Sequence, residues 1–141
     1  MNTLTPSESA TRAAAHADVV RRAYHALNTG DIEALNELFD ERASWHTPGR
    51  SPIAGEHRGR AAVFAQFGRY GGETLGTFTA VLNQVMASDD GCVVGLHHNN
   101  GVRNGKRLEV DCCVEFEVRS GKILRGREHF FDLHAWDAFW A

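Results

Sequence analysis

A chain of 141 residues with 43% hydrophobic residues, 23% charged residues, net charge −3 and a pI near 6.2 has the make-up of one ordinary globular domain, residues 1–141. The weakly acidic balance argues against nucleic acid as a partner, and no apolar run approaches a membrane span. The opening residues, Met1 to Glu8, lack the basic and apolar regions of a signal peptide, so a cytoplasmic protein is expected, with Cys92, Cys112 and Cys113 reduced.

Thr5-Pro6-Ser7-Glu8 is a capping box with Pro at the first helical position, and it predicts a helix to about Asn28. His16, Val20, Ala23, Tyr24 and Leu27 fall on one stripe of that helix. Gly30 ends it, and Asp31 caps a short second helix that buries Ile32, Leu35, Leu38 and Phe39. A short strand is expected from Ala43 to Thr47, then a loop from Pro48 to Gly59, rich in Pro and Gly. Arg60 to Tyr70 reads as a third helix with Val63, Phe64 and Phe67 inward, and Thr74 to Ala87 as a long strand. Three more strands follow between Asp90 and Asp132, and a tail, Leu133 to Ala141, closes the chain. Helices followed by an antiparallel sheet make an α+β fold, and helices on the concave side of a curved sheet leave a cone with an open mouth.

The last strands carry the chemistry. Asn104-Gly105 is the signature of a two-residue turn in which both residues take positive φ, and it sets His97 opposite Cys112 and Asn99 opposite Val110. If Arg103-Asn104-Gly105 is instead a three-residue bulged loop, His98 replaces His97 on the inner face. Val118 to Lys122 reads as a type I turn closed by a left-handed Gly121, which sets Glu128 opposite Cys112. An imidazole and a carboxyl then share one apolar face about 10 Å apart at the backbone, converging on a bound molecule or forming a structural hydrogen bond. In the first register His98 pairs with Asp111 on the other face, where no Ser completes a triad. By strand parity Trp45 and Thr47 point one way and His46 the other. Trp45, Phe64, Phe116 and Phe130 line a pocket or fill a core. No metal site is expected, because His97, His98, His129 and His134 match no zinc spacing, and no glycine-rich phosphate loop implies a cofactor.

The chain resembles the SnoaL-like polyketide cyclase group, relatives of ketosteroid isomerase within the nuclear transport factor 2-like superfamily. The resemblance lies in Val19-Val20-Arg21-Arg22, Ala26 to Asp31, Leu38-Phe39, Trp45 to Gly49, Pro52 to Gly55, Arg58-Gly59-Arg60 and Ser120 to Ile123. It implies a cone-shaped fold with three helices closing the concave face, and commonly a homodimer through the outer sheet face. It also places His97, Asn99, Val114, Glu128, Phe130 and Asp132 on the concave face. The isomerase's Tyr, base and second Asp fall on Ala23, Thr47 and Val114, so that mechanism is not expected, and Tyr24, one residue along, points elsewhere. The expected function is cofactor-independent acid-base chemistry on a small, largely apolar molecule, with His97, Glu128 and Asp132 catalytic. Tyr24, Trp45, Phe64, Asn99, Cys112, Phe116 and Phe130 are the expected binding residues. A non-catalytic dimeric binder of the same fold is the alternative.

Overall fold

The structure is a computed structural model and describes residues 3–141. Helix α1, Pro6–Thr29, starts where the Thr5 hydroxyl accepts from the Glu8 amide, and ends at Gly30, whose φ of 68° suits a residue without Cβ. Asp31 caps α2, Ile32–Leu38, which runs straight into β1, Phe39–Thr47. After β2, Gly55–Arg58, come α3, Arg60–Gly72, and the strands β3, Thr79–Ala87, β4, Cys92–Arg103, β5, Lys106–Arg119, and β6, Lys122–Phe130. A last helix, α4, spans Leu133–Trp140.

The sheet order is β2-β1-β6-β5-β4-β3, with β1 and β6 parallel and the other neighbours antiparallel. This is the α+β cone expected, with differences: β1 starts at Phe39, a residue expected in the second helix, and Ile32 on that helix is exposed. The expected loop between Pro48 and Gly59 contains β2, an edge strand paired to β1. The expected long strand begins at Thr79 because Leu75 and Gly76 take positive φ in a turn, and the Thr74 hydroxyl holds the Phe78 amide. The tail is a helix: Asp132 caps it through the Ala135 amide, and Trp136, Phe139 and Trp140 form its buried stripe.

The β4-β5 hairpin has the register read from Asn104-Gly105, at φ 49° and 75°, so His97 lies opposite Cys112 and on the inner face. The β5-β6 hairpin corrects the expectation. Ser120 and Gly121 both take positive φ, making a two-residue turn, and the register then shifts by one residue beyond Ile123. That bulge at Leu124 allows Ile123 and Glu128, of opposite parity, both to be buried. Glu128 therefore keeps the inner face but lies opposite Val114, while Phe130 takes the place opposite Cys112. Among the described residues no helix is long and apolar enough to cross a membrane.

Candidate active site

Two polar clusters sit among the apolar side chains of the concave face. The first centres on Glu128, 3% exposed, whose Oε1 accepts from Trp45 Nε1 at 2.9 Å, Thr47 Oγ1 at 2.7 Å and the Tyr70 hydroxyl at 2.7 Å. Trp45 and Thr47 come from β1, which runs parallel to β6, and Tyr70 comes from α3. Oε2 takes part in none of these bonds. Burial pushes the Glu128 carboxyl above its usual range, against the pull of its three donors. Burial likewise keeps the Tyr70 phenol protonated, so it remains a donor.

The second cluster is a chain across α1 and β4. The Asn99 amide nitrogen donates to the Val110 carbonyl, which fixes the amide orientation, so Oδ1 faces His97 Nε2 at 2.9 Å. An acceptor there requires the proton on Nε2. Nδ1 is then the bare nitrogen and accepts from the Tyr24 hydroxyl at 2.6 Å. Burial pulls His97 down to about 4, with the Asn99 bond opposing, and holds Tyr24 protonated.

This neutral, buried ring has a consequence for stability. An unfolded His binds its proton near pH 6.5, so acidification from neutrality towards 4 favours the unfolded chain, by about 1.4 kcal/mol per pH unit. Glu128 has the opposite sign: its raised affinity contributes stability below its unfolded pKa, and this is lost as pH rises through the folded value. Comparing wild type with His97→Gln isolates the ring. Urea unfolding at pH 7 and pH 4.5 should show the gap between the two proteins shrinking by roughly 2–3 kcal/mol on the acid side. A gap that does not change with pH would show that the ring is not held neutral.

Glu128, Trp45 and Tyr70 line the same cavity as Tyr24, His97, Asn99 and Phe116. Its volume is about 30 Å³, room for roughly two waters. All but two of its lining residues are buried; the half-buried Leu27 and Phe78 mark its rim, between the end of α1 and the chain entering β3. Two inner-face glycines make space for it. A Cβ on Gly95 would come within 3.0 Å of the Tyr24 hydroxyl, and one on Gly126 would overlap the Trp45 ring.

Of the residues expected at the site, His97, Glu128, Tyr24, Trp45, Asn99 and Phe116 line this cavity, and Asp132, Phe64, Cys112 and Phe130 do not. The exposed Asp132 carboxylate accepts from the Ala135 amide as the cap of α4. Phe64 packs edge-on against Phe39 and stacks on Phe67 without reaching the cavity lining, and Phe130 stacks on Trp136 at 3.9 Å. Cys112 is buried in the core, where its thiol is pushed up and inert. Tyr24 does not point elsewhere: with Ala23 it faces the cavity. Sequence reasoning missed Tyr70 and Gln66, and it turned Phe67 inward without naming it at the site. The spacing Val63, Gln66, Phe67, Tyr70 is an i, i+3, i+4, i+7 stripe that would have found them.

The sequence model of the SnoaL-like domain matches residues 20–126. The chain belongs to the SnoaL-like family. The solved structure of Bal32a, from a soil-derived mobile gene cassette, is 62% identical, with a TM-score of 0.91 over 92% of this chain and 99% of that one. An uncharacterized protein of Mycobacterium tuberculosis is 32% identical over 124 residues, 88% of this chain and 95% of its own length. IdmH of Streptomyces antibioticus, a candidate polyketide cyclase, shares the nuclear transport factor 2-like fold at 21% identity, with a TM-score of 0.70 over 86% of this chain and 95% of its own. In this SnoaL-like domain the inward position near the end of β1, where the isomerase resemblance expects a base, is Thr47. Its hydroxyl donates to the Glu128 carboxyl on the neighbouring strand, β6.

Proposed function

We propose that this SnoaL-like domain is a cofactor-independent acid-base enzyme acting on a small, largely apolar carbonyl compound, with Glu128 as the group that moves the proton. The observation that carries this reading is the asymmetry of the Glu128 carboxyl. Oε1 is held by three donors while Oε2 has no hydrogen bond among the described residues, in a residue that lines an apolar cavity. Oε2, ionised, takes a proton from carbon next to a carbonyl and returns it to a second atom, the common step of isomerisation and aldol-type cyclisation. Raised proton affinity suits a base of that kind, since burial weakens the hydration that otherwise satisfies it.

The second cluster supplies polarity of the other kind. His97 has both ring nitrogens engaged, so it orients Tyr24 and Asn99 instead of exchanging protons with the substrate. Asn99 has a second amide N–H beyond the one given to Val110, and it is the donor suited to a developing enolate oxygen. The Tyr24 oxygen, its proton given to His97, can accept from a ligand hydroxyl. A larger ligand enters as Leu27 and Phe78 turn aside at the rim.

The test is proton exchange. Small apolar ketones incubated with the protein in D₂O are expected to gain deuterium next to the carbonyl faster than in buffer, followed by NMR. The full engagement of His97 within the protein favours the alternative, a non-catalytic binder, in one outcome: ligands that stabilise the fold with no exchange above buffer in any of them.

A further inference from the structure

Gln66, on α3, is 1% exposed and carries a buried Oε1 with no hydrogen-bond partner among the described residues. An orphaned buried carbonyl is destabilising, and an apolar side chain of similar size would avoid it. What the amide does with its other end accounts for its presence. Nε2 lies 2.9 Å from the Ile53 carbonyl, an acceptor only, so the nitrogen must face that way. The same nitrogen lies 3.1 Å from Thr47 Oγ1 and 3.2 Å from the Tyr70 hydroxyl. One N–H goes to Ile53, and the second is shared between the two hydroxyl oxygens.

Each hydroxyl has one proton. With an N–H arriving on the oxygen from Gln66, that proton's nearest acceptor is Glu128 Oε1, 2.7 Å away in both cases, ahead of the other hydroxyl at 3.1 Å. Trp45 Nε1 can only donate, and it also points at Oε1. With three donors directed at it, Oε1 is the less favourable of the two carboxyl oxygens to carry a proton.

We propose that Gln66 is the positioning residue of this site: it locks the Thr47 and Tyr70 hydroxyls as donors to Glu128 Oε1 and so reserves Oε2 for the proton that is transferred. Without the amide, either hydroxyl turns more readily to accept, and the neutral acid gains a second form with its proton on Oε1, given to a hydroxyl of the protein. The inference rests on the acid-base reading above, but its readouts belong to Glu128 itself and need no turnover.

The variant is Gln66→Met, which removes the amide, its orphaned oxygen included, at similar volume. Glu128 is followed in two ways in the purified protein: by the carbon-13 shift of its carboxyl across pH, and by the infrared C=O stretch of its neutral form, isolated as the difference from Glu128→Gln. Gln66→Met is expected to raise the Glu128 pKa by about one unit, a tenfold change in proton affinity. It is also expected to move the C=O stretch to higher frequency, as the carbonyl oxygen loses donors. If Glu128 stays neutral throughout, the stretch alone decides. A folded variant with neither readout changed overturns the proposal, and so does failure of both Gln66→Met and Gln66→Leu to fold, which would make Gln66 a structural residue. Absence of exchange in the wild type bears on the acid-base reading alone and leaves these readouts intact.

Discussion

Glu128→Gln is expected to lower kcat for proton exchange by about 10²–10⁴ while leaving the fold intact. An amide has nearly the shape of the neutral acid. Its carbonyl oxygen can keep the three bonds from Trp45, Thr47 and Tyr70, so no buried donor is orphaned. Its NH₂ group occupies the place of Oε2, and the bound carbonyl keeps its donor from Asn99, so KM should change only a few-fold. What disappears is the ability to accept a proton. An interaction needed only along the reaction coordinate is lost, and kcat and kcat/KM fall together. The pH profile gives the sign: wild-type rate rises as Glu128 ionises, at a pH raised by burial, and that limb should be absent from the variant's residual rate. Steady-state kinetics with any ketone that exchanges, alongside near-ultraviolet circular dichroism, checks this. A folded variant with wild-type turnover removes Glu128 from the chemistry.

How far this site was legible depends on which local rule set each residue. His97 could be placed because Asn104-Gly105 is a turn whose geometry both residues favour, and one fixed turn sets the facing of every residue on two strands. Strand parity put Trp45 and Thr47 on one face, and the isomerase resemblance, which lays its base position on Thr47, said which face that was. Glu128 reached the correct face by a different route. Ser120 at φ 51° is not a residue whose type announces a left-handed turn, and the bulge at Leu124 has no sequence mark, since a bulge is fixed by what the flanking residues bury. The two unread features each shifted the register, and together they restored the parity while moving Glu128 two residues along β5.

The helical contributions were less legible for another reason. A 3.6-residue period allows more than one stripe on a short helix, and choosing Phe64 over Gln66 turned the inner face of α3 by part of a turn. A buried Gln is the costlier choice on propensity grounds, and its partners come from β1 and a loop that sequence cannot bring together. Asp132 failed differently. An Asp followed by Trp136, Phe139 and Trp140 at helical spacing is a cap before an amphipathic helix, and reading those residues as a tail left the carboxylate free for a role it does not have.

Gly126→Ala is expected to destabilise the protein by about 3–5 kcal/mol and to disable the site with it. Gly126 faces inward on β6, directly beside Trp45 in the parallel pairing with β1, and a Cβ there would overlap Cε3 and Cζ3 of the indole. The ring has nowhere to go. It meets Phe67 edge-on at 4.9 Å and Phe116 at 5.9 Å, and its nitrogen is tied to Glu128. Moving it breaks that bond and leaves a buried indole N–H unpaired, while moving the strand instead breaks the pairing that holds Thr47 against Glu128. The same packing conflict thus appears twice, as lost stability and as a further rise in Glu128 proton affinity once a donor is gone. A double-mutant cycle identifies the cause: in a Trp45→Leu background, where the ring is absent, Gly126→Ala should cost less than about 1 kcal/mol. Denaturant unfolding of the four proteins measures the coupling. Equal costs in the two backgrounds would mean that Gly126 is needed for something other than the tryptophan that lies across it.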